Sequence, residues 1–138
     1  MISKTKIFLV TQDKATIDHV NEVARNGSPI EIDAILPDAS AVEDYLKQSG
    51  VTAGIVDIDP DAKTSLSRLE ELIAACPQVC TVVISQDITQ ELILMAMEAG
   101  ARHYLQKGSI RKDLSGVMNR LLTHPGVKKQ KGSVLPVF

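Results

Sequence analysis

Short β-branched apolar runs alternate along this chain with stretches whose apolar residues recur every three or four positions. Lys6-Ile7-Phe8-Leu9-Val10 is the first run. It is continuous, the pattern of a strand buried on both faces of a parallel sheet. Ile17, Val20 and Ala24 then share one side of a helix. Asn26-Gly27 stops it, with Gly27 suited to a left-handed C-cap. Ile30, Ile32 and Ile35 mark a second strand behind Pro29, and Leu36-Pro37-Asp38 turns the chain. Ala39, Val42 and Leu46 predict the next helix, closed by Gly50. Gly54 to Asp57 is the third strand; Leu66, Leu69 and Ile73 define a third helix, which Pro77 ends. Thr81 to Ser85 is the fourth strand, and a fourth helix runs from Thr89 to Ala99, stopped by Gly100. His103 to Lys107 is a short fifth strand. Ser109 is placed to cap a last helix, whose face is Leu114, Val117, Met118 and Leu121 and whose end is His124-Pro125-Gly126.

Strand and helix patterns thus alternate five times, without internal sequence repeats. That alternation predicts an α/β fold: a parallel sheet between two helical layers, joined by right-handed crossovers. The length of 138 residues suits one core. Hydrophobic residues are 44% of the chain and aromatics only 3%, with no Trp, so the core is aliphatic and stacking platforms for single-stranded nucleic acid are disfavoured. A net charge of −2 carries no nucleic-acid footprint. Cys76 and Cys80, separated by the three residues Pro77-Gln78-Val79 and with no second ligand pair, read as core or helix-end thiols rather than zinc ligands. No signal peptide or membrane-length run is present, so the expectation is a cytoplasmic protein without membrane insertion. The domain is expected over residues 1–124. Residues 125–138 read as a basic linker, Lys128 to Lys131, followed by the start of a truncated further domain at Val134 to Phe138.

Chemistry concentrates where strands end. In open α/β sheets, sites form beyond the carboxyl ends of the strands. Asp57 leaves strand three, Ser85 strand four and Lys107 strand five, while Thr11-Gln12-Asp13 leaves strand one. A carboxylate, a hydroxyl and an ammonium on one rim suit phosphoryl chemistry, with the carboxylate as nucleophile and the other two holding phosphoryl oxygens. Mg²⁺ would call on Asp13 and Asp57, but a metal rim wants acids at the end of strand one, where Thr11 and Gln12 stand. No cofactor is therefore expected. The alternative for Asp57 is a permanent ion pair with Lys107. Asp59 and Asp61, around Pro60, read as turn formers. The loop after strand one lacks the Gly and Ser/Thr pattern of a flavin-phosphate cradle, which disfavours a flavodoxin.

The order Asp57, Ser85, Lys107, with Ala96-Met97-Glu98-Ala99-Gly100-Ala101-Arg102-His103-Tyr104-Leu105-Gln106-Lys107, resembles the receiver domain of response regulators over residues 5 to 123. The resemblance implies a flavodoxin-like (CheY-like) three-layer fold with strand order 2-1-3-4-5 and five helices. It implies Asp57 as phosphoacceptor, Ser85 and Lys107 as phosphate contacts and Tyr104 as a switch aromatic. Thr11 and Gln12 depart from the family's acidic pair, and Gly108 from the proline that usually follows the lysine. Together with the tail Gly132-Ser133-Val134-Leu135-Pro136-Val137-Phe138, the chain resembles the TadZ/CpaE group of pilus-assembly proteins. There an atypical receiver precedes a ParA/MinD-like ATPase, whose phosphate loop this chain does not include.

The fourth helix is apolar nearly all round: Leu92-Ile93-Leu94-Met95-Ala96-Met97. If Ala96 and Gly100 face the sheet, Ile93 and Met97 go with them, and Leu92, Leu94 and Met95 are left as interaction candidates; the opposite register exposes Ile93 and Met97 instead, and either way some apolar surface remains. The expectation is a non-enzymatic module of a pilus-assembly (Tad/type IVb, Flp) ATPase. It would form a homodimer, contact other pilus-assembly proteins and sit at the cell pole. The alternative is a phosphorylation switch working through Asp57.

Overall fold

The structure is a computed structural model that describes residues 4–123. The expected end of the last helix at His124-Pro125-Gly126, the basic linker and the Val134–Phe138 run lie outside the described residues. Five parallel strands form one sheet in the order β2-β1-β3-β4-β5. They are β1 (Thr5–Val10), β2 (Ile30–Leu36), β3 (Ala53–Asp57), β4 (Cys80–Ser85) and β5 (His103–Gln106). The helices are α1 (Lys14–Arg25), α2 (Val42–Ser49), α3 (Ala62–Ala75), α4 (Gln90–Ala99) and α5 (Ile110–Thr123), so the expected architecture holds element by element.

Two apolar layers sandwich the sheet. On one face Ile7, Leu9, Ile55, Val82 and Ile84 pack against Val20 of α1 and Leu114 and Met118 of α5. On the other, Phe8, Val10, Val56 and Val83 pack against α2, α3 and α4 through Val42, Leu69 and Ala96. The central strand β3 is buried along its whole length, which explains its lack of any polar residue before Asp57. Gly54 in that strand is obligatory for a packing reason. A Cβ there would stand 2.3 Å from the Phe8 ring, far inside contact distance. Gly100 ends α4 at φ 110, a left-handed conformation that side chains resist.

Three local expectations shift. The β1–β2 register slips between Ile7 and Phe8: Ile7 pairs Ile32, but Phe8 pairs Ala34, leaving Asp33 as the extra residue. Burial alternates without a break from Ile30 to Leu36, which puts Ile35 on the outer side, 43% exposed. Tyr45 of α2 donates its hydroxyl to Asp33 Oδ2 (2.7 Å). Burial, then the Asp33 carboxylate, push that phenol up to about 12. In α3 the inward stripe is Leu66, Leu69 and Leu72, with Ile73 at its flank. Ser109 does not stand as a separate cap: it belongs to a 3-10 turn, Lys107–Ser109, that runs straight into α5.

Candidate functional site

A parallel sheet delivers every strand's carboxyl end to the same edge, and the register decides which residues meet there. Val10 pairs Val56, Asp57 pairs Ile84 and Ser85 pairs Gln106. Thr11, Asp57, Ser85 and Lys107 are therefore neighbours on one rim, as the strand-exit argument expects.

Asp57 is buried, its side chain only 3% exposed. Its Oδ2 accepts from the Thr11 hydroxyl (2.6 Å) and lies 2.9 Å from the Lys107 ammonium. Its Oδ1 accepts from the backbone N–H of Asp59 (2.9 Å). Thr11 is itself held, because its hydroxyl accepts from the Asp13 N–H (3.0 Å). A neutral hydroxyl thus takes a place where a second carboxylate would have repelled Asp57. Gln12 points away: it is exposed and donates to the Pro37 carbonyl (3.2 Å).

Asp13 caps α1. Its carboxylate accepts from the Thr16 hydroxyl (2.7 Å) and the Ala15 N–H (3.3 Å), and it lies 3.4 Å from Lys107. The Thr16 hydrogen bond, partly opposed by desolvation and helped by Lys107, holds Asp13 below the ordinary carboxylate value. Asp13 and Asp57 are thus committed to protein donors, and the donor set does not fit Mg²⁺. Among the described residues no group of three or more His, Cys, Asp or Glu side chains is arranged to hold a metal ion.

Asp59 corrects the expectation of a turn former. Its Oδ1 accepts from Ser85 Oγ (2.7 Å) and its Oδ2 from the Gln86 N–H (2.7 Å), with the Lys107 ammonium 3.1 Å away. Burial works to raise its pKa. The Ser85 hydroxyl, the Gln86 N–H and Lys107 outweigh that and hold it below the ordinary value. Lys107 shows the converse balance: burial works to lower its pKa, while Asp57 and Asp59 carry it above the usual lysine value. Asp61, by contrast, does serve its own turn: it caps α3 by accepting from the Thr64 N–H (3.3 Å) and hydroxyl (2.8 Å). The only sign of Asp59's role in the sequence is a second acid two positions beyond Asp57, and that spacing alone does not separate a turn former from a ligand.

Tyr104 is buried, with its hydroxyl donating to the Asp87 carbonyl (2.6 Å). Beside the rim lies a cleft of about 320 Å³, lined among others by Gln12, Asp57, Asp59, Thr64 and Arg68.

The α4 face differs from expectation in its register. Ala96 and Ala99 point inward, and Leu92, Ile93 and Met95 pack partly against the core. Leu94 (54%) and Met97 (40%) are exposed, together with Ile88 (55%) just before the helix. Of the interaction candidates Leu92, Leu94 and Met95, only Leu94 faces outward, and Met97 replaces the other two. The inward stripe follows the small residues Ala96 and Ala99, whose spacing of three lets the helix approach the sheet closely and rotates Met97 to the outside.

The family model of the pilus assembly protein TadZ N-terminal region matches residues 5–129. The chain belongs to that family. No curated protein matches it by sequence. Its fold is that of receiver domains. A response regulator from Thermotoga maritima superposes with a TM-score of 0.75 at 18% identity, over 87% of this chain and 98% of the other. A CheY-like receiver domain protein from Methanospirillum hungatei gives 0.74 at 20% identity, over 91% and 99%. A putative pilus assembly-related protein from Burkholderia pseudomallei gives 0.75 at 17% identity, over 86% and 90%. Membership of the TadZ N-terminal family and this architecture make the chain a receiver-like domain of a pilus-assembly protein. No described helix is long and apolar enough to cross a membrane.

Proposed function

We propose that this domain is a phosphorylation-independent docking module, which pairs with a second copy of itself through the outer face of α4. In that role it would hold a pilus-assembly protein in place at the cytoplasmic cell pole, with other pilus-assembly proteins as further partners. The observation that carries the reading is the state of Asp57. A nucleophilic carboxylate needs a free, approachable oxygen, whereas both oxygens of Asp57 are engaged and its side chain is 97% covered (3% exposed). The rim supports a structural ion pair, and among the described residues three of the four exposed large apolar side chains, Ile88, Leu94 and Met97, lie on α4 or just before it.

Sedimentation equilibrium of the chain tests this, alongside Leu94→Asp and Met97→Asp. The expected result is a concentration-dependent dimer that each substitution weakens by at least about tenfold. A monomer at all concentrations, or a dimer indifferent to both substitutions, would overturn the assignment of the surface. Incubation with acetyl phosphate and Mg²⁺ tests the other half. Labelling that Asp57→Asn abolishes would establish the phosphorylation switch instead.

A further inference from the structure

We propose that the second copy docks along the seam between α3 and α4, across a two-fold axis that lays Lys63 of each copy against Glu70 and Glu98 of the other. The inference rests on the reading that α4 pairs two copies, and it names the surface that completes the contact.

The sheet sets up the seam. α3 follows β3 and α4 follows β4 in a parallel sheet, so the two helices run back side by side in the same direction. Between them lies a groove of about 220 Å³. Its apolar floor is Leu66, Met95 and Ala99. Its rims are charged, and the charges are segregated. Lys63 is the second residue of α3, Glu70 is the ninth, and Glu98 is the ninth of α4. The cation thus stands at one end and both acids at the other, about 10 Å further along the helix axes. All three side chains are exposed, and none is in an ion pair among the described residues. The fold has left their charges unspent.

A groove with opposite charges at its two ends is complementary to its own reverse. A two-fold axis lying across the seam runs two such grooves antiparallel and brings each Lys63 over the acids of the other copy. Leu94 supplies the apolar part. It is exposed and stands one turn before Glu98, beside the groove. In the antiparallel contact each Leu94 meets the floor of the facing groove. Burial of these apolar groups supplies the affinity, while the exposed charges fix the register. The other flank of α4 lacks this symmetry. The groove between β5 and α5, about 270 Å³, carries Lys112 and Asp113 at one end and Arg120 at the other. Reversed on itself, it sets Arg120 over Lys112 as well as over Asp113, and the attraction cancels. The α3 side is the one whose charges select an antiparallel second copy.

The test is a charge swap between copies, read by sedimentation equilibrium of the full chain. Lys63→Glu and Glu98→Lys are each expected to raise the dimer dissociation constant about 5-fold to 30-fold, because each turns two exposed attractions into repulsions. An equimolar mixture of the two variants should recover the affinity of the unsubstituted chain within about 3-fold, since both cross-pairs of the mixed dimer are again opposite in sign. Lys112→Glu should leave the dimer unchanged. Swaps without effect, or a mixture no tighter than its components, would overturn the seam. Loss of the dimer in Lys112→Glu would overturn it too, moving the second copy to the β5–α5 flank with the role of α4 intact. A chain monomeric at all concentrations would instead fail the α4 reading itself, and this proposal with it. Should a variant not fold, the unsubstituted chain decides. Its dimer must weaken as added salt screens the pairs, and a dimer indifferent to salt would overturn the proposal equally.

Discussion

The strand-end rim and the outer face of α4 are built on opposite terms. On the rim, four charged groups and two hydroxyls are gathered, and every hydrogen-bonding group named there has a partner inside the chain. On α4, Leu94 and Met97 lie open, with Ile88 beside them. Polar groups that satisfy one another have little free energy left for an outside ligand. Apolar groups left in water have it in reserve. On the proposed reading, the residues that look most chemical serve folding, and the chemically plain helix is the surface that meets a partner.

Breaking the rim should therefore hurt folding most. Lys107→Met leaves the buried Asp57 without its counter-charge and is expected to cost about 3–5 kcal/mol in urea unfolding. Adding Asp57→Asn should recover part of that loss. A cost below about 1 kcal/mol would mean that the pair behaves as a solvated one and that the contrast with α4 is false. Next comes Thr11→Val, which removes the hydroxyl that donates to Asp57 and accepts from Asp13. A loss of about 1.5–3 kcal/mol is expected in the same assay.

The pH dependence sharpens the same point. Asp59 has a folded pKa below the ordinary 3.8. Its contribution is fully present above that value and is lost as pH falls through the lower folded pKa. Lys107 has a folded pKa above 10.5. Its contribution is fully present below 10.5 and is lost as pH rises through the folded value. Stability curves of the chain and of Asp59→Asn should accordingly converge on the acid side and stay apart near neutrality. Parallel curves down to the lowest pH would remove Asp59 from the rim's energetics. Smallest of all, Leu94→Asp should change folding stability by no more than about 0.5 kcal/mol, even as it weakens association. A large folding defect there would show that α4 is core and not surface.

Much of the molecule was legible in advance, and particular residues show why. Val10, Asp57, Ser85 and Lys107 mark strand ends in the sequence, and strands of one parallel sheet must end on one edge. Their meeting follows from periodicity alone. The α4 face was legible only in outline. Its excess of apolar residues guaranteed that some would be exposed, but two registers were compatible with it, and close packing of Ala96 and Ala99 against the sheet chose between them.

The sequence by itself determined the order of elements, the double-faced burial of β3 and the set of groups delivered to the rim, because these depend on spacing along the chain. Only the tertiary structure decided how those groups pair. The bulge at Asp33, the turn of Gln12 toward Pro37 and the reach of Asp59 to Ser85 and Gln86 are each set by partners distant in sequence. A residue just past a strand end has no periodicity to aim it. Where its side chain goes is settled by which unpaired donor the rest of the fold presents, and here that donor set made a ligand of an aspartate that local chemistry would have left in a turn.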